Sequence, residues 1–334
     1  MPGNQRGVAR VLLLAAIAVF AGVGFVAWEG YRRLNADGPL KEDAIVWIKR
    51  GDSMTSIARG LEDDGLIAEG GARLFYYYGR ASGLSGALRA GEFTVPPGAS
   101  MVELAEILRT ADPLLRFVTI PEGRTVAQAV AILEQAPMLE GEVTLTPDEG
   151  DLLPETYAYE RGETRDSVLE RMIRAHDALL ADLWPRRADN LPIETQEEAI
   201  ILASIVEKET AVPEERPRVA SVFVNRLRRG MRLQSDPTII YGLTGGEPLG
   251  RGLRVSELND TDNPYNTYRI DGLPPTPIAN PGRESISAVL NPAETDDLYF
   301  VADGNGGHVF ASSLREHNKN VQRWRQIERA RAEQ

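Results

Sequence analysis

Residues 11–28 read VLLLAAIAVFAGVGFVAW, a stretch without a single charge. Coiled into a helix, such a run is about 27 Å long, close to the thickness of a bilayer's hydrocarbon core. It predicts a retained membrane span rather than a cleaved signal peptide, because it is long for a signal core and no small-x-small cleavage site follows it. Arg6 and Arg10 precede the span, and Glu29, Arg32 and Arg33 follow it. The positive-inside rule then assigns residues 1–10 to a short cytoplasmic tail and the bulk of the chain to the far side of the membrane. Trp28 and Tyr31 stand where interfacial aromatics are expected, and residues 29–42, including NADGPL, read as a linker.

Beyond the span the chain is long enough to bury a sizeable core, and its 334 residues leave room for more than one domain. Its formal net charge of −12 argues against a nucleic-acid partner, which needs a concentrated Lys/Arg surface. There is no cysteine, so disulfides, Cys-ligated zinc and a thiol nucleophile are excluded. The three imidazoles, His176, His308 and His317, follow no metal-ligand spacing, so neither a metal nor another cofactor is expected.

Between residues 43 and 137 one pattern occurs three times: a short β-like run, a turn containing Gly, a small hydroxyl residue, then an amphipathic helix. The copies are VWIKRGDSMTSIARGL from Val46, FTVPPGASMVELAEIL from Phe93 and VTIPEGRTVAQAVAIL from Val118. Gly suits the tight turn, and Asp52, Ser53, Ser100 or Thr125 can cap the helix that follows. Uneven spacing disfavours a solenoid. The first two copies resemble the LysM-type glycan-binding module, with a spacer that holds the rest of the chain off the membrane as the plain alternative. Residues 138–330 form a second, larger domain. Helices are predicted over 165–183, over 195–209 with a Thr195/Glu198 capping box, over 219–227 and from Ser285, ahead of a closing hairpin whose strands flank DGNGG. No helix starts directly after that loop, which favours a turn over a phosphate cradle. The fold class expected is thus α+β: an N-terminal transmembrane helix, a small LysM-like strand-helix module and a larger mixed domain.

The helix over 195–209 is apolar inside and ends in two acids, Glu207 and Glu209. Glu209 follows Ile205 by four residues and Val206 by three, which continues the buried stripe through Leu202 and Ile201, while Glu207 points about 160° away. Burial and the negative end of the helix dipole both disfavour a carboxylate there and raise its pKa toward a value useful for proton donation. Geometry alone leaves open that both acids are solvated.

The stretch ILASIVEKETAVPEERPRVASVFVNRLRRGMRLQSDPTIIYGL, with LLPETY at Leu152, YNTYRIDGLPPTPIANPG at Tyr265 and YFVADGNGGHVFASSLREHNKNV at Tyr299, resembles the YceG-like endolytic murein transglycosylases, the family known as MltG. The resemblance implies a catalytic domain of that type and a lyase that cuts the β-1,4 bond between N-acetylmuramic acid and N-acetylglucosamine in peptidoglycan, leaving 1,6-anhydro ends. It implies that Glu209, the second Glu of VEKET, is the catalytic acid and base and that Glu207 is a neighbour. It implies single-pass attachment to the inner membrane with the domain in the periplasm, and work beside nascent strands and cell-wall synthases. Amide, hydroxyl and aromatic groups suited to N-acetyl sugars stand at Gln234, Ser235, Asp236, Tyr241, Tyr265, Asn266 and Tyr268, with Glu155 in the LLPETY motif. Asp236, Glu155 and Asp271 are the candidates for a second carboxylate, which a muramidase-type hydrolase would need. A non-catalytic peptidoglycan-binding anchor is the remaining alternative. The arginines at 226, 228, 229 and 232 read as a solvated helix end, and His308 and His317 as fixed hydrogen-bonding groups.

Overall fold

The computed structural model describes residues 5–332; residues 1–4 of the expected cytoplasmic tail, and residues 333–334, lie outside the described residues. The uncharged run lies inside a single helix, α1 (Gln5–Leu34). Every residue from Val8 to Trp28 is exposed, and the helix is long and apolar enough to cross a membrane. It continues to Leu34, so the first part of the expected linker is helical.

The chain divides into two compact units, one of residues 1–116 with 160–162, the other of 117–159 with 163–334. After α1 the first unit contains β1 (Ala44–Ile48), α2 (Met54–Asp63), α3 (Ala72–Ala81), β2 (Gly91–Val95) and α4 (Met101–Thr110). β1 and β2 pair antiparallel, from Ala44 opposite Val95 to Ile48 opposite Gly91. Val46, Ile48, Phe93 and Val95 pack with Phe75 of α3 and with Leu104 and Leu108 of α4 in one core. Buried Glu92 is held by Arg116 and Arg161, and the Arg161 guanidinium lies 3.9 Å from the centre of the Trp47 ring. Burial pushes the Glu92 carboxyl up, but the two arginines outweigh it and hold the carboxyl below the usual range.

The second unit holds β3 (Arg116–Thr119, from the boundary), α5 (Val126–Gln135), β4 (Thr156–Tyr159), α6 (Arg165–Leu183), α7 (Gln196–Glu209), α8 (Arg216–Arg228), α9 (Asp236–Thr244), α10 (Val255–Leu258), α11 (Arg283–Leu290), β5 (Tyr299–Ala302), β6 (His308–Ala311) and α12 (Leu314–Ala332). The fold is therefore mixed α+β, with two-stranded sheets only among the described residues. The three sequence copies are β1–α2, β2–α4 and β3–α5. Their glycines, Gly51, Gly98 and Gly123, all have positive φ, and Ser53, Ser100 and Thr125 cap the helices as the pattern required. The third copy belongs to the second unit, because Val118, Leu133, Tyr157, Leu169 and Met172 share one core. The hairpin forms as expected, with Tyr299 opposite Ala311 and Ala302 opposite His308, but the chain does not end there: α12 follows and packs on both strands. That helix escapes a hydropathy reading because it is polar along most of its length.

α7 is the centre of the larger core. Eight consecutive residues, Ala199 to Val206, are buried, packed against α8 and α11. A helix covered on all sides has no solvent face for charge, so its acids fall at the two ends, and its first turn is fixed by the Thr195/Glu198 capping box.

One buried amide joins the loops around this core. The Oδ1 of fully buried Asn280 accepts from the backbone N–H of Gly150 and Leu152 at 3.1 and 3.0 Å, and its Nδ2 donates to the Arg124 carbonyl at 2.9 Å. Asn280→Ala leaves both N–H groups without an acceptor and is expected to lower stability by about 2 kcal/mol or more. Denaturant unfolding of the two proteins checks this, and midpoints that coincide would contradict it.

Candidate active site

Glu209 is the last residue of α7, where the negative end of the helix dipole points. The residue keeps partial solvent access while protein closes around its carboxyl. Burial is the largest influence on that carboxyl and raises its pKa from 4.5 to about 7; the Ser235 hydroxyl, donating to Oε1 at 2.5 Å, pulls the other way. Of the charges that act on it, Asp236 raises the pKa further, and His308 and Arg226 lower it.

The loop before α9 positions Ser235. Gln234 has φ +51°, a left-handed conformation costly for a side chain with a Cβ, and it turns the backbone so that Ser235 points inward. The Ser235 N–H donates to the Thr267 hydroxyl at 2.9 Å, its carbonyl accepts from the Thr238 hydroxyl at 2.7 Å, and both threonines are fully buried. Asp236 is exposed and accepts from the Tyr268 hydroxyl at 2.7 Å. The Tyr241 and Tyr265 rings meet edge to face at 5.0 Å; the Tyr241 hydroxyl donates to Glu149, and the Tyr265 and Thr276 hydroxyls are 2.7 Å apart.

Other residues singled out by sequence are occupied elsewhere. Asn266 is fully buried; its Nδ2 donates to the carbonyls of Glu257, Leu258 and Asp260, and its Oδ1 accepts from the Tyr268 N–H. Its role is to shape the loop that carries Tyr265 and Tyr268. Glu155 is exposed and faces Arg283 at 3.6 Å; Asp271 is exposed and pairs with Arg232 at 3.0 Å. Asp236 is thus the member of the three candidate second carboxylates that acts on Glu209.

Glu207 has a different surrounding. Its carboxylate accepts from the Gly282 N–H at 3.0 Å and the Ser285 hydroxyl at 2.7 Å, and it faces Arg216 at 3.3 Å, which also pairs with Glu122 at 2.9 Å. Only 5 % of its side chain is exposed. Glu207 therefore ties α7 to α8 and to the start of α11, and the possibility that both acids are solvated does not hold.

The expectation of a solvated arginine cluster needs correcting. Arg226 is buried, donates to the carbonyls of Leu298 and Leu233 at 2.7 and 2.6 Å, and acts on Glu209. Its spacing along α8 from Val219 and Phe223 puts it on the buried side, a signal the charge run concealed. His308 does make fixed hydrogen bonds: its N–H donates to Glu215 Oε1 at 2.8 Å, and its Nδ1 lies 2.7 Å from Oε2. A Cβ on neighbouring Gly307 would stand 2.7 Å from that same Oε1, so a larger residue there would displace the Glu215 carboxylate. His317 stacks on Tyr299 with 5.1 Å between ring centres. Among the described residues no group of three or more His, Asp or Glu is placed to hold a metal ion.

The YceG-like family matches residues 46–323 of the chain. An endolytic murein transglycosylase of Streptococcus pneumoniae is 31% identical over 337 residues, covering 86% of this chain, and the chain spans 59% of that relative's length. An endolytic murein transglycosylase of Bacillus subtilis is 31% identical over 309 residues and 83% of each chain. The crystal structure of a putative yceG-like protein from Listeria monocytogenes superposes with a TM-score of 0.52 at 29% identity, over 84% of this chain and 99% of that one.

The two acids should separate in stability measurements. The folded pKa of Glu209, about 7, lies above the ordinary 4.5, so the stability its protonated form contributes is full below pH 4.5 and is lost as pH rises through 7. Glu209→Gln removes that loss. The variant is expected to match wild type near pH 4.5 and to exceed it at pH 8 by a few kcal/mol at most, each pKa unit being worth about 1.4 kcal/mol. Glu207→Gln is expected to lower stability at both pH values by about 1–3 kcal/mol, since Arg216 loses one of its partners. Thermal or denaturant unfolding at the two pH values reads both, and a Glu209→Gln protein less stable than wild type at pH 8 would count against the site's electrostatics.

Proposed function

We propose, from the premise that this chain belongs to the YceG-like family, that it is a lytic transglycosylase acting on peptidoglycan. Glu209 carries the reading: one carboxyl, desolvated and brought to a pKa of about 7, can hold a proton for donation and then exist as a base at neutral pH. In this scheme Glu209 protonates the glycosidic oxygen between N-acetylmuramic acid and N-acetylglucosamine. The resulting carboxylate takes the proton from the muramic 6-hydroxyl, which closes on C1 to form a 1,6-anhydro end. Ser235, Arg226 and His308 support the carboxylate in the second step, because each favours the charged form. Gln234, Asp236, Tyr241 and Tyr268 are the residues we assign to sugar contact; Ser235 acts on the acid, Asn266 and Tyr265 act by shaping the loop, and Glu155 is left without an assigned contact.

The first unit supports a membrane-attached arrangement, with α1 as a single-pass anchor and the remaining chain in the periplasm. The β1–α2–α3–β2 module is assigned to glycan binding in the manner of a LysM module. Cleavage close to the membrane suits the release of nascent strands and the company of cell-wall synthases. If the module binds, removing residues 43–110 lowers affinity for purified sacculi more than it lowers turnover of bound strands. Equal affinity would make it a spacer.

A hydrolytic reading rests on Asp236, the second carboxylate that acts on Glu209. Mass analysis of muropeptides released by the protein separates the two readings: anhydro ends are expected, whereas reducing ends would replace the proposal with a muramidase. Glu209→Gln is expected to lower cleavage by about a hundredfold to ten-thousandfold or more, since the amide neither donates nor accepts the proton. Glu207→Gln is expected to keep most of the activity per folded molecule. Rates unchanged in Glu209→Gln would leave a non-catalytic anchor or another acid.

A further inference from the structure

Helix α3 is held at the depth where α1 leaves its apolar stretch. No residue of α1 from Val8 to Trp28 is covered by protein; Glu29 and Gly30 are the first to be partly covered. A Cβ on Gly30 would stand 3.9 Å from Leu74 Cδ1 of α3. Gly30 lies two residues, about 3 Å along the helix axis, past Trp28, where the uncharged run stops. The headgroup layer on each side of a bilayer is about 5–7 Å thick, so in a membrane crossed by α1 Leu74 is at headgroup level.

The outer surface of α3 fits that level. Phe75 and Gly79 face the core, while Arg73, Tyr77, Arg80 and Ala81 are exposed at helical spacing along one stripe. Tyr77 and Tyr78 follow Leu74 by three and four residues, which places them on the side of the helix that meets α1. α3 carries two arginines and no acid. The Arg73 guanidinium lies 5.8 Å from the centre of the Tyr77 ring, and Arg80 donates to the Tyr76 hydroxyl at 3.4 Å. Beside the stripe runs a cleft of about 500 Å³ between α2 and α3, lined by Arg59, Arg73, Tyr76 and Tyr77 among others. The cleft also holds two acids, Glu62, which accepts from the N–H groups of Gly70 and Ala72, and exposed Asp63, whereas the charges on α3 itself are its two arginines. Amphipathic rings beside guanidinium groups are the side chains that settle between hydrocarbon and water.

We infer that α3 is a second membrane contact, its Arg73, Tyr77 and Arg80 stripe lying in the headgroup layer with the guanidinium groups on lipid phosphate. This rests on the reading of α1 as a membrane span. With two contacts instead of one, the module cannot swing freely about the end of α1, which fixes the height at which it meets a glycan strand.

The absence of cysteine lets a single fluorophore be placed at will. The full chain is reconstituted in phosphatidylethanolamine vesicles containing phosphatidylglycerol. One sample carries the label on Ala81→Cys and headgroup-nitroxide lipid; the other carries it on Phe20→Cys and acyl-chain-nitroxide lipid. Both labels are expected to be quenched, the first to about half its emission or less, and Arg73→Glu with Arg80→Glu is expected to restore most of that emission. Quenching at position 20 with none at 81 would overturn the α3 contact and leave the anchor standing. Absence of quenching at 20 would overturn the anchor and the contact together. Quenching at 81 that survives the double charge reversal would overturn the role given to lipid phosphate.

Discussion

The constraint from which the site follows is the complete burial of the middle of α7. A helix whose residues from Ala199 to Val206 all face protein must dispose of its terminal charges within the last turn, and the fold does so in two different ways. Glu207 meets a backbone N–H, a hydroxyl and a buried arginine, and it ties three helices together. Glu209, two residues on, meets one hydroxyl and is otherwise desolvated. The same helix end thus holds one carboxylate as structure and keeps the other close to neutrality. Such pairs of acids with divergent environments are how a fold divides structural from chemical duty.

The desolvation of Glu209 is not left to run to its limit. Burial and the helix dipole both disfavour the charged form, and unopposed they would make the carboxyl a poorer base. Three groups oppose it from three directions: Ser235 from the loop before α9, Arg226 from α8 and His308 from the start of β6. Each is itself fixed. Ser235 is held by Thr238 and Thr267, Arg226 by two backbone carbonyls and His308 by both oxygens of Glu215. The pKa of about 7 is therefore a balance among elements far apart in sequence, which is why no short motif could state it.

What sequence made legible is local. The uncharged run, the three strand-turn-helix copies with their caps and positive-φ glycines, the capping box at Thr195 and the hairpin around DGNGG each depend on a few neighbouring residues, and each formed. The desolvation of the Glu209 carboxyl was reachable because the stripe of α7 is also local. The failures were of a different kind. Arg226 read as solvent-exposed because a run of arginines concealed its place on the Val219 and Phe223 side of α8, where the carbonyls of Leu298 and Leu233, one of them more than seventy residues on, satisfy its guanidinium. Asn266 read as a sugar ligand because its amide suits one, whereas its hydrogen bonds go to the loop it organises. Composition identifies a group's chemistry; its partners decide whether that chemistry is available.

This distinction bears on how one acid can serve a whole reaction. A hydrolase with two carboxylates assigns proton donation to one and attack or water activation to the other, with environments that push the two pKa values apart. Here the largest influence raising the pKa of Glu209 is burial, with the charge of Asp236 secondary, and the opposing influences come from the Ser235 hydroxyl, His308 and Arg226. A buried carboxyl can give up its proton only if donors are already in place to stabilise the charge it then carries, since reorganising a closed site would cost more than it gained. Ser235 is in place before any substrate arrives, on a backbone turn that Gln234 holds in a left-handed conformation. A pre-set donor of this kind lets the carboxyl release and regain its proton without moving, which is the property that a single residue acting first as acid and then as base requires.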